Sequence, residues 1–477
     1  MRKVNFIFSV FFIAVLCLGK INAQIMPTIT KVALLEQDKA TINQRLSEYT
    51  TFTMDKRALI DSLQKYGRYQ FQIRIDERQD WTLDLQFNDM RAPDYKQTYI
   101  SDEGKFEYKP FILNTYKGKT SNDQIARFTI DENNFFGVIL DNEYHYVIRL
   151  VRDFTKNSSD ERLIVYKSLD ILENETFDYI NDAIANPDYE IGYVEENVIT
   201  RGTPCTYYLK IATDADYEFY QAKGNNLART YSDIFSVLNI IEGVYETTFN
   251  MTFIVTYQNV WTTTSSGYPY NTSTDGDLLL ANFRSYWNSN MAGVSRNLAH
   301  LFSGKSTLIS PSNGNIGING LGYLGQISNS NAYSMSRNRP EMYQTSAHEM
   351  GHNLNALDVN LMSPVPPECL CGGNAASVMC QGFKDANLWF CQTSINQINP
   401  FLVSKSALLT GSFPATLTLT GTVNGFNVYQ ATQKIISNQV INSGYTIYKA
   451  AEIELNNNFE VKLGAEFEMI IDDNGCR

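Results

Sequence analysis

Residues 345–358 read T-S-A-H-E-M-G-H-N-L-N-A-L-D, and this stretch determines what fold is expected for the middle of the chain. His348 and His352 are four residues apart, so a helix places both side chains on one face, where they can bind one metal ion together. Glu349 follows the first histidine and can deprotonate a water on the open side of that ion. The alternative is a helix with two surface histidines. The pattern H-E-x-x-H predicts a zinc site with a general base beside it.

The longer stretch H-E-M-G-H-N-L-N-A-L-D resembles the extended signature H-E-x-x-H-x-x-G-x-x-H of the metzincin peptidases, most closely their reprolysin (adamalysin-like) branch. The resemblance implies an α+β fold, with a mixed twisted sheet and an active-site helix. It also implies a secreted zinc endopeptidase that acts on protein or peptide substrates. Two positions depart from the signature: Asn355 replaces the glycine, and Asp358 replaces the third histidine.

Both departures have a physical interpretation. The family glycine ends the helix in a left-handed conformation, which asparagine tolerates better than other non-glycine residues. Aspartate offers zinc an oxygen ligand at about 2.0–2.2 Å, and metzincin-like peptidases of the snapalysin type carry aspartate here. We therefore expect His348, His352 and Asp358 to bind Zn²⁺, with Glu349 as the general base. The alternatives are a solvent-facing Asp358 and a third ligand from Glu368, since thermolysin-like enzymes take theirs from a later glutamate.

Further segments between about 202 and 405 fit the same family. Met379, in A-S-V-M-C, corresponds to the methionine that metzincins place in a tight turn beneath the zinc. Residues 388–394 resemble the start of the last reprolysin helix, and the glycine-rich residues 314–328 resemble the strand at the upper rim of the cleft. An extended substrate can pair with the free edge of such a strand. His300 is expected to pack in the core and His145 to be structural.

Upstream of the motif, the sequence predicts a strand from Tyr207, a long amphipathic helix from Leu227 to Val244, and then another strand. Six cysteines follow the N-terminal apolar segment, and their even number in an exported protein predicts disulfides. Cys369 and Cys371 are too close to favour pairing with each other, so each is expected to pair with Cys380 or Cys391. A structural Cys₄ zinc site is the alternative. The remaining two cysteines are Cys205 and Cys476.

Residues 1–23 have a basic start, an apolar run from Val4 to Leu18 and a small residue, Ala23, at the end, which predicts a secretory signal peptide. No later stretch is apolar enough to span a membrane. The chain has 39 Lys+Arg and 51 Asp+Glu, a net charge of −12, without a basic block. This charge argues against nucleic acid or an anionic membrane as the partner. The oligomeric state stays open.

The rest of the chain divides into three regions. Residues 24–201 combine a polar helical segment near Leu34 to Leu63 with strands such as Y-Q-F-Q-I-R-I, T-L-D-L-Q-F, A-R-F-T-I and F-F-G-V-I-L, and we expect a propeptide-like β-rich domain. A permanent accessory domain is the alternative. Residues 202–406 form the expected peptidase domain, and 407–477 a small all-β accessory module. Arg201 lies in a connector where a cut would activate a zymogen. The competing function is an inactive homologue that acts as an adhesion or binding module.

Overall fold

The computed structural model describes residues 27–471, except 78, 110–113, 133, 142–143, 156–159, 173–182, 185–206, 266, 272–273, 315, 372–375, 382–387, 411–412 and 426. For Ala183–Ile184 only the backbone pairing is described. The predicted signal peptide, Arg201, Cys205 and Cys476 lie outside the described residues.

The N-terminal region forms a large antiparallel sheet with two short helices. Its elements are β1 Ile29–Lys31, α1 Glu36–Asn43, β2 Thr50–Met54, α2 Arg57–Tyr66, β3 Arg68–Arg74, β4 Asp80–Phe87, β5 Arg91–Ser101, β6 Gly104–Glu107, β7 Thr115–Thr120, β8 Ile125–Ile130, β9 Phe135–Leu140, β10 His145–Leu150 and β11 Leu163–Lys167. Nine of these strands form one sheet in the order β1-β2-β11-β10-β9-β8-β7-β4-β3. The strands β5 and β6 leave this sheet and join another.

The two faces of the nine-stranded sheet bury different side chains, because successive residues of a strand point to opposite faces. On β9, Phe135 and Ile139 pack with the apolar face of α2. Phe136 and Val138 point the other way, into a core shared with the middle of the chain. The sheet is therefore buried on both faces at β9.

One sequence prediction in this region is wrong. The helical segment expected from Leu34 to Leu63 is two helices, α1 and α2, separated by the strand β2. The sequence T-T-F-T-M of β2 is rich in β-branched and aromatic residues, which favour strands. It pairs with β1 on one side and β11 on the other, so the local composition and the sheet pairing both favour a strand here. The strands predicted from Y-Q-F-Q-I-R-I, T-L-D-L-Q-F, A-R-F-T-I and F-F-G-V-I-L are confirmed.

The middle of the chain forms a second, mixed sheet with helices on it. Its elements are β12 Ala183–Ile184, β13 Tyr207–Ala215, α3 Tyr217–Ala222, α4 Leu227–Phe249, β14 Met251–Trp261, α5 Gly276–Asn290, β15 Leu298–Ser303, β16 Ile309–Ser310, β17 Ile316–Gly317, β18 Gly320–Tyr323, β19 Tyr333–Arg337, α6 Met342–Asn353 and α7 Gln392–Lys405. The predicted order of strand, long helix and strand from Tyr207 is confirmed.

The second sheet has the order β12-β18-β19-β15-β13-β14-β5-β6. The strands β5, β14, β13, β15 and β19 run parallel to one another, whereas β18 is antiparallel to β19 and β6 is antiparallel to β5. This sheet takes β5 and β6 from residues before the predicted boundary at 201. A single apolar core also draws on both sides of that boundary. The domain boundary at residue 201 remains a prediction. The second sheet and the shared apolar core both include residues from either side of it.

The C-terminal module is a short parallel β-solenoid. Its strands are β20 Thr416–Leu419, β21 Thr422–Val423, β22 Asn427–Gln430, β23 Lys434–Ser437, β24 Val440–Ile441, β25 Gly444–Ala450, β26 Glu452–Leu455, β27 Glu460–Val461 and β28 Ala465–Ile471. They stack as three parallel sheets, β20-β23-β26, β21-β24-β27 and β22-β25-β28. A Cβ on Gly444 would lie 2.2 Å from the carbonyl oxygen of Gly425 in the preceding turn of the solenoid, so this position requires glycine.

No helix in the described part of the chain is both long and apolar enough to cross a membrane.

Candidate metal centre

The helix α6 carries the motif and is buried along nearly its whole length. Ala347 and Met350 pack in the shared core, and the Tyr245 hydroxyl of α4 donates a hydrogen bond to the Ala347 carbonyl at 2.8 Å. The helix ends just after His352, and Asn355 has a φ of +79°. The left-handed conformation predicted for Asn355 is therefore confirmed, and it turns the following residues back toward the histidines.

Three buried side chains converge at the end of this helix. The Nε2 atoms of His348 and His352 are 3.0 Å apart, and Oδ1 of Asp358 lies 3.1 Å from the first and 3.5 Å from the second. Ligand atoms around one tetrahedral zinc are roughly 3.3 Å from one another, so this donor set fits the ion. Within the described ranges, no other three His, Cys, Asp or Glu side chains are so arranged.

Backbone carbonyls orient both imidazoles. The Nδ1 atom of His348 lies 2.7 Å from the Val378 carbonyl oxygen, and Nδ1 of His352 lies 2.7 Å from that of Ala356. A carbonyl can only accept, so each Nδ1 carries the proton and donates it. Each Nε2 is then left with a lone pair that points into the cluster, which is how metal-binding histidines are usually held.

Met379 lies directly against the motif helix. It is fully buried, and a Cβ added at Gly351 would lie 2.6 Å from its Sδ atom. Glycine at position 351 therefore allows the sulfur to approach the helix between the two histidine positions. The carbonyl of Met379 also accepts a hydrogen bond of 3.0 Å from Val359 N, next to Asp358. The turn thus contacts both segments that supply the cluster.

Two disulfides flank this turn. Cys369 pairs with Cys391 and Cys371 pairs with Cys380, with Cα–Cα distances of 4.9 and 5.5 Å. The predicted disulfides are confirmed, and the connectivity that the sequence left open is resolved for these four residues. Each bridge crosslinks the segment before Met379 to the segment after it. The two bridges therefore restrain the turn that packs against α6.

The strand β18 lies beside Glu349 at a distance that only glycine permits. Glu349 is 1% exposed. A Cβ on Gly320 would lie 2.4 Å from its Oε1, and a Cβ on Gly322 would lie 2.6 Å from its backbone carbonyl oxygen. Because the two glycines are two residues apart, both face α6. The sequence predicts this strand at the rim of the cleft, but the close approach to Glu349 that explains its glycines was not predicted. The G-x-G spacing was the available signal.

The other candidate residues lie outside the cluster. Glu368 is exposed and accepts a hydrogen bond from the Thr393 hydroxyl. His300 is buried between the hydroxyls of Ser334 and Ser336, at 2.8 and 2.9 Å, and burial lowers its pKa to about 3. His145 is also buried, with Nε2 3.0 Å from the Tyr343 hydroxyl. These positions agree with the packing role expected for His300 and the structural role expected for His145.

Residues 206–390 match a reprolysin-type family model described as metallo-peptidase family M12. No curated protein matches the sequence. Among solved structures, the chain is similar to metalloproteinase-II from Bacteroides fragilis, with 10% identity and a TM-score of 0.43, over 72% of this chain and 94% of that one. The family match supports a metzincin-like, metal-dependent peptidase in this part of the chain.

We expect Asp358→Ala to lower the affinity for zinc strongly, because the substitution removes one of three converging ligand atoms. Loss of a group that only hydrogen-bonds to a metal ligand typically lowers the affinity roughly 10- to 100-fold, and we expect a larger loss here. Glu368→Ala is the matched control, since it removes the same charge at an exposed position nearby. Zinc content would be measured by elemental analysis after dialysis. Equal zinc retention in the Asp358 variant and the parent would assign the third position to another group.

Proposed function

We propose that this protein is a secreted zinc endopeptidase. His348, His352 and Asp358 bind the metal, and Glu349 is the general base. The observation that carries the proposal is the convergence of three buried ligand atoms, all within 3.5 Å of one another, at the end of a helix that also carries Glu349. The family match over residues 206–390 supports the same chemistry. The two disulfides support an oxidising, extracellular location.

A zinc ion bound by these ligands would polarise a water so that it is a nucleophile near neutral pH. As the general base, Glu349 would accept a proton from the attacking water and pass it to the leaving amine. The near-complete burial of Glu349 keeps its carboxylate in one position beside β18. The carbonyls of Val378 and Ala356 keep both imidazoles in the tautomer that binds a cation.

The edge of β18 is the proposed substrate-binding strand. An extended peptide can form main-chain hydrogen bonds with a free strand edge, which holds the peptide in register beside the reacting groups. In the full-length chain this edge already has a partner, because Ala183 and Ile184 of β12 pair with Gly322 and Tyr323. The segment before Arg201 therefore competes with substrate for the same backbone groups. This pairing supports a latent precursor, blocked by occlusion.

We expect Glu349→Gln to retain zinc and to lose at least about 100-fold in casein hydrolysis, since general acid–base catalysis typically contributes that much or more. Glu341→Gln, just before α6 and outside the ligand cluster, serves as the control and should hydrolyse casein normally. If the protein is instead an inactive homologue that serves as a binding module, the parent will not hydrolyse casein either. Near-normal turnover in the Glu349 variant would refute the base assignment.

We expect Gly320→Ala to keep the fold and the zinc but to lose most hydrolysis. The added methyl would occupy the present position of the Glu349 carboxylate, which is the movable end of a side chain and can shift without unfolding the helix. Gly293→Ala is the matched control, because its Cβ would meet nothing within 4 Å. Thermal unfolding, zinc content and kcat/KM would be measured on both. Unchanged kcat/KM for Gly320→Ala would show that the close approach has no part in catalysis.

We expect activation by a cut near Arg201, because this basic residue lies in the connector before β13, the first strand of the predicted peptidase domain. Active protein from culture medium should contain a new N-terminus close to Gly202, detected by N-terminal sequencing. Arg201→Gln should stay latent under the same conditions. Active protein without any such N-terminus would exclude a zymogen.

A further inference from the structure

The N-terminal region contributes an internal strand to the sheet that carries the site. β5 lies between β14 and β6, and it pairs with β14 from Lys96↔Tyr257 to Ile100↔Trp261. Side chains reinforce the pairing, since the Thr98 hydroxyl lies 2.8 Å from both the Tyr257 hydroxyl and Oδ1 of Asn259. Loss of β5 would leave the backbone groups along one side of β14 without their present partners.

The helix α4 presents a polar stripe to the nine-stranded sheet. Its members follow helical spacing: Ser232, Ser236, Asn239, Gly243 and Glu246. Each of the five meets groups from residues 27–172. The side chain of Asn239 donates to two backbone carbonyls of that sheet at 3.1 Å and accepts from another asparagine at 2.9 Å. This polar stripe of α4 is therefore a specific contact surface for the N-terminal region.

An ion pair between a buried arginine and a half-buried glutamate completes this contact. Arg127 of β8 is 3% exposed and pairs with Glu246 of α4, which also binds Lys117 of β7 at 2.8 Å. Burial opposes the ionisation of Glu246, but the two cations outweigh it and lower its pKa to about 2. A Cβ on Gly243 would lie 2.8 Å from Nε of Arg127, so the helix makes room for the guanidinium. Separating the two regions would break this ion pair and the pair between Lys117 and Glu246.

The N-terminal sheet also contacts the start of the motif helix. Arg149 of β10 donates a hydrogen bond of 2.9 Å to the Pro340 carbonyl, just before α6. Tyr343 of α6 is fully buried against Phe136 and His145 of the N-terminal sheet. Within the described residues, β12 pairs with β18 through two residue pairs. The region before Arg201 is thus attached extensively at β14, α4 and the start of α6, and through β12 at the rim strand β18.

We propose that a cut near Arg201 yields a two-chain protein, in which residues 27–172 stay bound as a permanent part of the peptidase while the end that bears β12 becomes free to leave the rim. The proposal rests on the proposed function only for the place of the cut. The partner that fits the surface formed by β14 and α4 is accordingly the N-terminal fragment of the same chain. The fragment then acts as a retained subunit.

The test uses full-length Glu349→Gln, which cannot cut itself, with the recognition sequence of a site-specific protease inserted between Arg201 and Gly202. After complete cleavage, we expect both fragments to elute together at the mass of the uncut chain in native size-exclusion chromatography, and to separate in urea. Elution of a folded C-terminal fragment by itself in native buffer would overturn the proposal. The readout is mass, so a failure of the zinc or peptidase assignment would leave the result intact.

Two arginine variants test whether the described surface holds the fragments. Arg127→Ala removes the buried partner of Glu246, so the cleaved pair should dissociate at a clearly lower urea concentration than the parent. Arg74→Ala is the matched control, because Arg74 pairs with Asp80 within the N-terminal sheet at an exposed position. If the cleaved Arg127 variant and the cleaved Arg74 variant separate at the same urea concentration, retention does not depend on this surface.

Discussion

The left-handed turn at Asn355 is the constraint on which the site depends. A straight helix can bring two histidines together, but it cannot bring back a third group that lies six residues beyond the second. The positive φ at Asn355 reverses the chain so that Asp358 reaches both imidazoles. Neighbouring segments fix the return path: Gln397 of α7 accepts a hydrogen bond from Leu357 N, and Met379 accepts one from Val359 N. The residues on both sides of Asp358 are therefore held by other parts of the fold.

That arrangement requires a helix that cannot move, and α6 is restrained from several directions. Met379 packs against Gly351 from one side, and β18 packs against Glu349 through two glycines from another. α4 contacts it through Tyr245, and the N-terminal sheet contacts its first turn through Tyr343. Three of these contacts depend on the absence of a Cβ, at Gly351, Gly320 and Gly322. Close backbone approach, which glycine alone allows, therefore determines where the motif helix can lie.

Local patterns predicted the parts of the fold that depend on near neighbours in sequence. The spacing of His348, Glu349 and His352 identified the motif helix, and the αL tolerance of asparagine predicted the turn at Asn355. The clustering of four cysteines predicted two bridges. The error at Thr50–Met54 has the opposite origin: its strand exists because β1 and β11, one of them more than a hundred residues away, pair with it. The β-branched and aromatic residues of this segment favour a strand, but a strand of five residues is stable only with such partners.

The C-terminal solenoid and the placement of β5 were both missed in the sequence, for different reasons. In the solenoid the signal was present, since Gly425, Gly444 and Gly464 recur about once per turn with positive φ, but it required reading the segment as a repeat. For β5 the local sequence carries little such signal. R-A-P-D-Y-K-Q-T-Y-I-S is mostly half-buried or exposed, and its role follows from pairing with β14, far along the chain. A boundary drawn from composition marks a change in the sequence pattern. It does not mark where packing ends, because packing follows contacts that composition cannot record.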